Sequence, residues 1–168
     1  CISQWGYDFR PSYLQIADNR KDLPHAPVLA LTATATPQVV EDIQDKLSSG
    51  QETFNVFKMS FERKNLAYVV RRATDKREEL IHILNSVKGC AIVYARSRRR
   101  TKEVSDMLNE AGISATFYHA GLDSTVKDER QKDWQNDKVR VMVATNAFGM
   151  GIDKPDVRLV PHIDCPDS

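Results

Sequence analysis

The chain has 168 residues, 41% hydrophobic and 28% charged, proportions typical of a soluble globular protein that forms one large domain or one and a half ordinary ones. Its apolar runs are far shorter than the roughly 20 residues that span a bilayer, and its N-terminus lacks the layout of a secretory signal, so we expect no membrane contact. The net charge of +1 leaves a nucleic-acid partner open, because any basic surface would have to be local.

The cysteines and histidines give no support to a metal site. Cys1, Cys90 and Cys165 are odd in number and never paired as C-x-x-C, a pattern that fits reduced thiols in a cytoplasmic protein. The four histidines are equally scattered along the chain. We therefore expect no metal held wholly by this chain.

The first predicted feature is the aromatic stretch CISQWGYDFRP, in which Gly6 and Pro11 indicate a loop. The residues alone favour a packed corner of a domain. The run PVLALTAT (27–34) then predicts a buried strand, and Thr36 followed by Pro37 predicts the N-cap and first position of a helix.

The remainder of the chain alternates amphipathic helices with short apolar strands. Helices are expected around 80–87, 104–111 and 126–134, and strands at CAIVYA, SATFYH, VRVMVAT and VRLVPHI. Such alternation predicts an α/β fold with a doubly wound parallel sheet covered on both faces. Pro161 lacks the amide donor that a strand uses, which predicts an edge position or a local break in the last strand.

The regular alternation stops around MSFERKNLAYVVRRATDK (59–76), where charges cluster. We predict a first lobe over 1–62, a linker over 63–75 and a second lobe over 76–168. The first lobe has only two or three strand candidates and is expected to be the C-terminal part of a larger unit. A piece of about 60 residues buries only about 60% of the surface that its unfolded chain exposes.

Charge is concentrated in the segment RSRRRTK, which follows the strand CAIVYA. Ligands of parallel α/β sheets bind beyond the carboxyl ends of the strands. Cations at a helix N-terminus oppose the helix dipole, so arginines there indicate a nearby anion, and the planar guanidinium suits phosphate. The alternative is a solvated charge run paired to acids such as Glu103 and Asp106.

Two further loops leave their roles open on the residues alone. His119 could be a core histidine, a general base or a backbone contact, of which the first is favoured. Gly149 and Gly151 permit close backbone approach to a ligand or form an ordinary glycine turn. The third glycine of a dinucleotide fingerprint is missing, so a nicotinamide cofactor is not expected.

Six blocks in this order resemble the superfamily 2 DNA helicases of the RecQ type: CISQWGYDFRPSY, LALTATAT, IVYARSRRRTKEV, FYHAGL, VMVATNAFGMGIDKPDVR and HIDCPDS. The resemblance covers nearly the whole chain. It implies parts of two RecA-like lobes of an ATP-dependent enzyme that moves along single-stranded DNA and unwinds duplex DNA in the 3′ to 5′ direction. It also implies ATP and Mg²⁺ as cofactors of the full-length enzyme, a monomer, and a location at the bacterial nucleoid in preference to a nucleus.

The resemblance also assigns roles to individual residues. Coupling of ATP hydrolysis to movement would involve Trp5, Tyr7, Phe9, Arg10, Thr32 and Thr34. DNA contacts would come from Phe9, Arg10, Arg96, Ser97, Arg98, Arg99, His119, Thr145 and Asn146. The nucleotide side would be formed by Gly149, Gly151 and Asp153.

Several family motifs are missing from these 168 residues: the Walker A loop, the glutamine-containing adenine motif, the D-E-x-H box and the final arginine motif. Phosphoryl transfer depends on a phosphate-binding lysine, acid-held Mg²⁺ and an arginine finger worth about 10³–10⁵ in rate. We therefore expect that this chain alone binds neither ATP nor Mg²⁺ and lacks helicase activity. The alternatives are an RNA helicase of the same superfamily, a non-catalytic nucleic-acid binding module and, least favoured, an unrelated small-molecule enzyme.

Overall fold

The computed structural model describes residues 18, 22–23, 25–33, 35–48, 54–149 and 151–165. The chain divides into two compact units, Cys1–Ala67 and Tyr68–Ser168. The division falls inside the segment 63–75 for which the sequence predicts a linker.

Helix α1 (Pro37–Leu47) lies in the first unit and has the predicted N-terminus. Thr36 is the N-cap, and its hydroxyl accepts a hydrogen bond from the Val39 amide at 3.4 Å. Pro37 occupies the first turn, where no helical amide bond is lost. The helix prediction is therefore confirmed.

The strand predicted at 27–34 is not formed in its described residues, 27–33. Leu29 and Leu31 are 80% and 83% exposed. A strand persists only where neighbouring strands bond its backbone, and no described residue of the first unit belongs to a strand. Apolar composition alone therefore predicted an element that the described part of this unit does not support.

The second unit is a parallel four-stranded sheet with helices on both faces. In chain order its elements are α2 (Lys76–Ser86), β1 (Cys90–Tyr94), α3 (Arg98–Glu110), β2 (Ala115–Tyr118), α4 (Ser124–Gln135), β3 (Val141–Ala144) and β4 (Val157–Leu159). The strand order is β2-β3-β1-β4, and every pairing is parallel. The predicted doubly wound fold is confirmed. None of the described helices combines the length and apolar character that a bilayer crossing needs.

The two faces of the sheet bury separate sets of side chains. Alternate residues of β1 and β3 pack with α2 and α3 on one face: Leu80, Leu84, Ala91, Val93, Val104, Met107, Leu108, Ile113, Val141 and Val143. The intervening residues pack with α4 on the other: Cys90, Ile92, Trp134, Met142, Ala144 and Phe148. This arrangement explains why the strands read as continuous apolar runs instead of alternating ones.

Strand β4 stops at Leu159, and the chain continues beside β1, where it makes a single isolated parallel bridge. The Tyr94 amide donates to the Pro161 carbonyl at 2.8 Å, and the Ile163 amide donates to the Tyr94 carbonyl at 3.1 Å. His162 forms an isolated bridge with Tyr94. The predicted break at Pro161 is confirmed, and it places residues 161–164 next to the carboxyl end of β1.

Candidate nucleic-acid interface

Three loops that the sequence singles out begin at one edge of the sheet. Tyr94 pairs with Ala144, and Tyr118 pairs with the same residue from the other side. The carboxyl ends of β1, β2 and β3 are therefore level. As a result, the segments that start at Ala95, His119 and Thr145 leave the sheet side by side.

Arg98 contacts the loop that follows β2, although the two are more than 20 residues apart. A Cβ atom on Gly121 would lie 2.7 Å from Nη1 of Arg98 and 3.1 Å from its Cζ, so the guanidinium packs directly against the glycine and would have to shift if the residue were larger. Burial lowers the pKa of His119, and the positive charges of Arg98 and Arg130 lower it further. The edge thus combines a cation with a histidine whose neutral form is favoured.

The Nδ1 atom of His119 is buried and has no hydrogen-bond partner among the described residues. Its ring stacks on Phe117, with centroids 5.7 Å apart. Arg130 packs over Phe117, its Cζ 3.9 Å from the ring centroid, and donates to the Phe117 carbonyl at 2.8 Å. These contacts set the position of the imidazole at the edge of the sheet.

Arg130 is a component of this edge that the sequence analysis did not identify. It follows Val126 and precedes Trp134 by four residues each, which is the spacing of one helix face. That spacing is the sequence signal that could have placed Arg130 on the same helix face as Val126 and Trp134. The signal is weak because the rest of the helix is polar.

The arginine-rich turn has mixed pairing. Ser97 is the N-cap of α3, and its Oγ accepts from the Arg100 amide at 3.2 Å. Arg99 is 89% exposed and pairs with Glu103 at 2.6 Å, while Lys102 pairs with Asp106 at the same distance. Arg99 and Lys102 are therefore solvated cations paired to acids of the same helix. The Arg98 side chain is instead directed towards the loop after β2.

The loop after β3 is held by hydrogen bonds to its neighbours. The Thr145 amide donates to the Tyr118 carbonyl at 3.3 Å, and the Tyr94 hydroxyl donates to the Phe148 carbonyl at 2.8 Å. Gly149 has φ +124°, and a Cβ there would lie 2.5 Å from the Tyr94 hydroxyl oxygen. Glycine is therefore required at this position by both backbone and space.

The remaining candidates in this part of the chain are surface positions. Asn146, Gly151 and Asp153 are exposed. Thr32 is exposed in the irregular segment of the first unit. Trp5, Tyr7, Phe9, Arg10 and Thr34 lie outside the described residues.

A second polar cluster lies at the opposite, amino edge of the sheet, around a cavity of about 320 Å³. Lys154 is 6% exposed, and its ammonium contacts Asp137 at 2.8 Å and Asp156 at 2.9 Å. Burial raises the pKa of Cys90, which adjoins the two carboxylates, to about 11. Cys90 and the two acids have metal-ligand spacing, and the Lys154 ammonium already pairs with both carboxylates, so these contacts account for the cluster as an ion-pair network.

Comparison with known proteins identifies a family for the part of the chain that contains this sheet. Residues 75–168 match the model described as the helicase conserved C-terminal domain. The chain belongs to this family. The match covers helices α2 to α4 and every strand that the described residues form.

Helicase relatives extend the similarity to the whole chain. It is 40% identical over 169 residues to the ATP-dependent DNA helicase RecQ of Haemophilus influenzae, covering 100% of this chain and 27% of the relative. It is 40% identical over 171 residues to the ATP-dependent helicase SGS1 of Saccharomyces cerevisiae, covering 99% of this chain and 12% of the relative. The resemblance to the RecQ type is confirmed, and the chain spans about a quarter or less of the length of these relatives.

Solved helicase structures share the fold. S. cerevisiae Dbp5 L327V bound to RNA and ADP BeF3 matches 96% of this chain and 42% of its own with a TM-score of 0.73 at 19% identity. At that identity, the likeness supports the RecA-like fold and nothing finer.

Proposed function

We propose that the chain forms part of an ATP-dependent 3′–5′ DNA helicase, and that the carboxyl edge of its second unit contacts the backbone of single-stranded DNA. Relatives at 40% identity are named DNA helicases, which favours DNA over RNA as the strand. In this proposal Arg96, Ser97, Arg98, Arg99, His119, Thr145 and Asn146 face the strand, and Gly149, Gly151 and Asp153 face the nucleotide of the full-length enzyme. Phe9 and Arg10 would add contacts from the first unit.

The observation that carries the proposal is the packing of Arg98 on Gly121 beside His119. Two loops distant in sequence thereby form one cationic surface. Guanidinium groups form bidentate hydrogen bonds with phosphate oxygens, and such contacts position a strand without reading its bases. Ser97 and Thr145 can add hydroxyl donors at the same edge.

ATP hydrolysis belongs, in this proposal, to the full-length enzyme with Mg²⁺. The 168 residues contain no Walker A loop, D-E-x-H box or final arginine motif. Phosphoryl transfer without these groups loses the main sources of its rate. We propose that the chain alone has no DNA-stimulated ATPase activity and acts only as a strand-binding module.

The test is a salt titration of binding to a fluorescent 20-nucleotide dT strand, with an rU strand alongside. Log affinity should fall linearly with log salt, with a slope of about −0.7 for each phosphate contact. Arg98→Gln should weaken binding and reduce that slope by about 0.7. Lys138→Gln is the matched control, because it removes one charge from an exposed side chain that pairs with Asp133 at the end of α4.

Equal losses of strand affinity in Arg98→Gln and Lys138→Gln would contradict the proposed interface. Salt-independent binding by the unsubstituted chain would contradict it as well. Preference for the rU strand would favour the RNA alternative. DNA-stimulated ATP hydrolysis by the same sample would contradict the proposed inactivity of the isolated chain.

A further inference from the structure

Asp164 lies beside the arginine-rich turn, although it belongs to a segment 64 residues beyond Arg100. Its Oδ2 accepts a hydrogen bond from the Arg96 amide at 3.0 Å and lies 3.3 Å from Nε of Arg100. Nε of Arg100 is buried and has no hydrogen bond within the described residues, so this carboxylate is its ionic partner. The side chain of Asp164 is 21% exposed.

The position of Asp164 is set by the break at Pro161. Residues 161–163 bond to both backbone groups of Tyr94, and the His162 ring stacks on that of Tyr94 with centroids 5.0 Å apart. Lys76 donates to the Ile163 carbonyl at 3.0 Å. The backbone next to Asp164 is therefore held beside β1 by contacts that do not involve the arginine side chains.

The positive charge at the N-terminus of α3 favours the binding of an anion there. Helix α3 has no acid in its first turn, which instead contains Arg98, Arg99 and Arg100. Each cation there opposes the helix dipole by a few tenths of a kcal/mol. Glu103 pairs with Arg99 within the helix, whereas Asp164 contacts the helix N-terminus from outside it.

We propose that Asp164 is a resident counter-anion that positions Arg96 and Arg100 and competes with a DNA phosphate at the N-terminus of α3. The inference rests on the proposed DNA-binding function. A fixed carboxylate occupies Arg100 and repels a phosphate nearby, so it lowers strand affinity at this step. A translocating protein must release the strand repeatedly, and a weakened contact permits that release.

The first test is Asp164→Asn in the full 168-residue chain, measured on the dT strand across a salt series. Asparagine keeps an oxygen acceptor for the Arg96 amide and removes the charge. We expect affinity at about 50 mM salt to rise by about 3- to 10-fold, and the salt slope to steepen by about 0.7, the value for one added phosphate contact. Asp133→Asn is the control for net charge, because it also removes one negative charge, but near the C-terminus of α4, where Asp133 pairs with Lys138.

The second test uses Arg100→Gln and does not require a change at Asp164. In the unsubstituted chain this change should cost less affinity than Arg98→Gln, because Arg100 is already paired. In the Asp164→Asn background it should cost more, since the freed guanidinium would then bind phosphate.

The outcomes separate this inference from the proposed function. Salt-dependent binding with an unchanged slope in Asp164→Asn, or a loss in Arg100→Gln equal to that in Arg98→Gln, overturns the inference and leaves the interface standing. Absence of binding by the unsubstituted chain overturns the proposed function and the inference with it. A gain in Asp133→Asn equal to that in Asp164→Asn also overturns the inference, because it would reflect net charge alone.

Discussion

The imidazole of His119 is partly buried and lies near two positive charges, and all of these change its pKa in the same direction. Burial comes first, followed by the charges of Arg98 and Arg130, and all three lower the pKa of the imidazole. A base whose pKa is lowered by folding binds protons less well than in the unfolded chain. Its contribution to stability is therefore present above its ordinary pKa of about 6.5 and is lost as pH falls from there through the lower folded-state value.

This arrangement predicts a measurable titration. In an NMR pH series the His119 ring signals should titrate below about pH 6.5. Arg98→Gln should move the midpoint upward, because it removes the larger of the two positive-charge effects on the His119 pKa, whereas Arg99→Gln should not, since Arg99 is exposed and paired with Glu103. His119→Gln assigns the signal among the four histidines. A midpoint at or above that of a free histidine, or equal shifts in the two arginine variants, would refute this electrostatic explanation.

Helix starts are the element-scale feature that short sequence patterns predict best, yet their strength varies. Asp75 caps α2 by accepting from the Arg77 amide at 2.8 Å and the Glu78 amide at 3.3 Å. Asp123 occupies the same position before α4 and makes no side-chain cap hydrogen bond. The residue type is identical but the backbone differs, with φ −118° and ψ 108° at Asp75 against φ −59° and ψ 149° at Asp123.

The two caps should therefore differ in their effect on stability. Asp75→Ala should lower the free energy of unfolding by about 1 kcal/mol, within the range of lost N-caps, and Asp123→Ala by a few tenths. Both variants lose one carboxylate at a helix N-terminus, so their difference isolates the hydrogen bonds. Urea unfolding followed by circular dichroism measures it. Equal destabilisation would mean that charge at the helix terminus, and not capping, stabilises these helices.

At the scale of the whole molecule, residues 54–73 contain no helix or strand and are almost entirely exposed. Within the described residues, limited trypsin digestion should cut first in this segment, after Lys58, Arg63, Lys64, Arg71 or Arg72, because proteases select exposed chain without regular structure. Mass spectrometry should then find a resistant fragment that begins just after one of these residues. Replacing all of them with glutamine should slow that cut, and early cleavage inside α3 or α4 would contradict the described architecture.

The type and order of the elements in the second unit follow from the amino-acid sequence alone. Short apolar strands alternating with amphipathic helices predict a doubly wound parallel sheet, and Pro161 predicts an edge position or a break in the last strand, because these signals act over a few residues. The strand expected at 27–33 shows the limit of such signals, since a strand also needs neighbours.

Which charged side chains come into contact depends on the three-dimensional fold. Neither the contact of Arg98 with Gly121 nor that of Asp164 with Arg96 follows from local spacing. Both depend on the strand order β2-β3-β1-β4, which aligns the carboxyl ends of β1, β2 and β3 and returns residues 161–164 to β1. Periodicity acts along the chain, whereas charge pairing acts across the sheet, so the sequence supplied the arginines and the fold selected their partners.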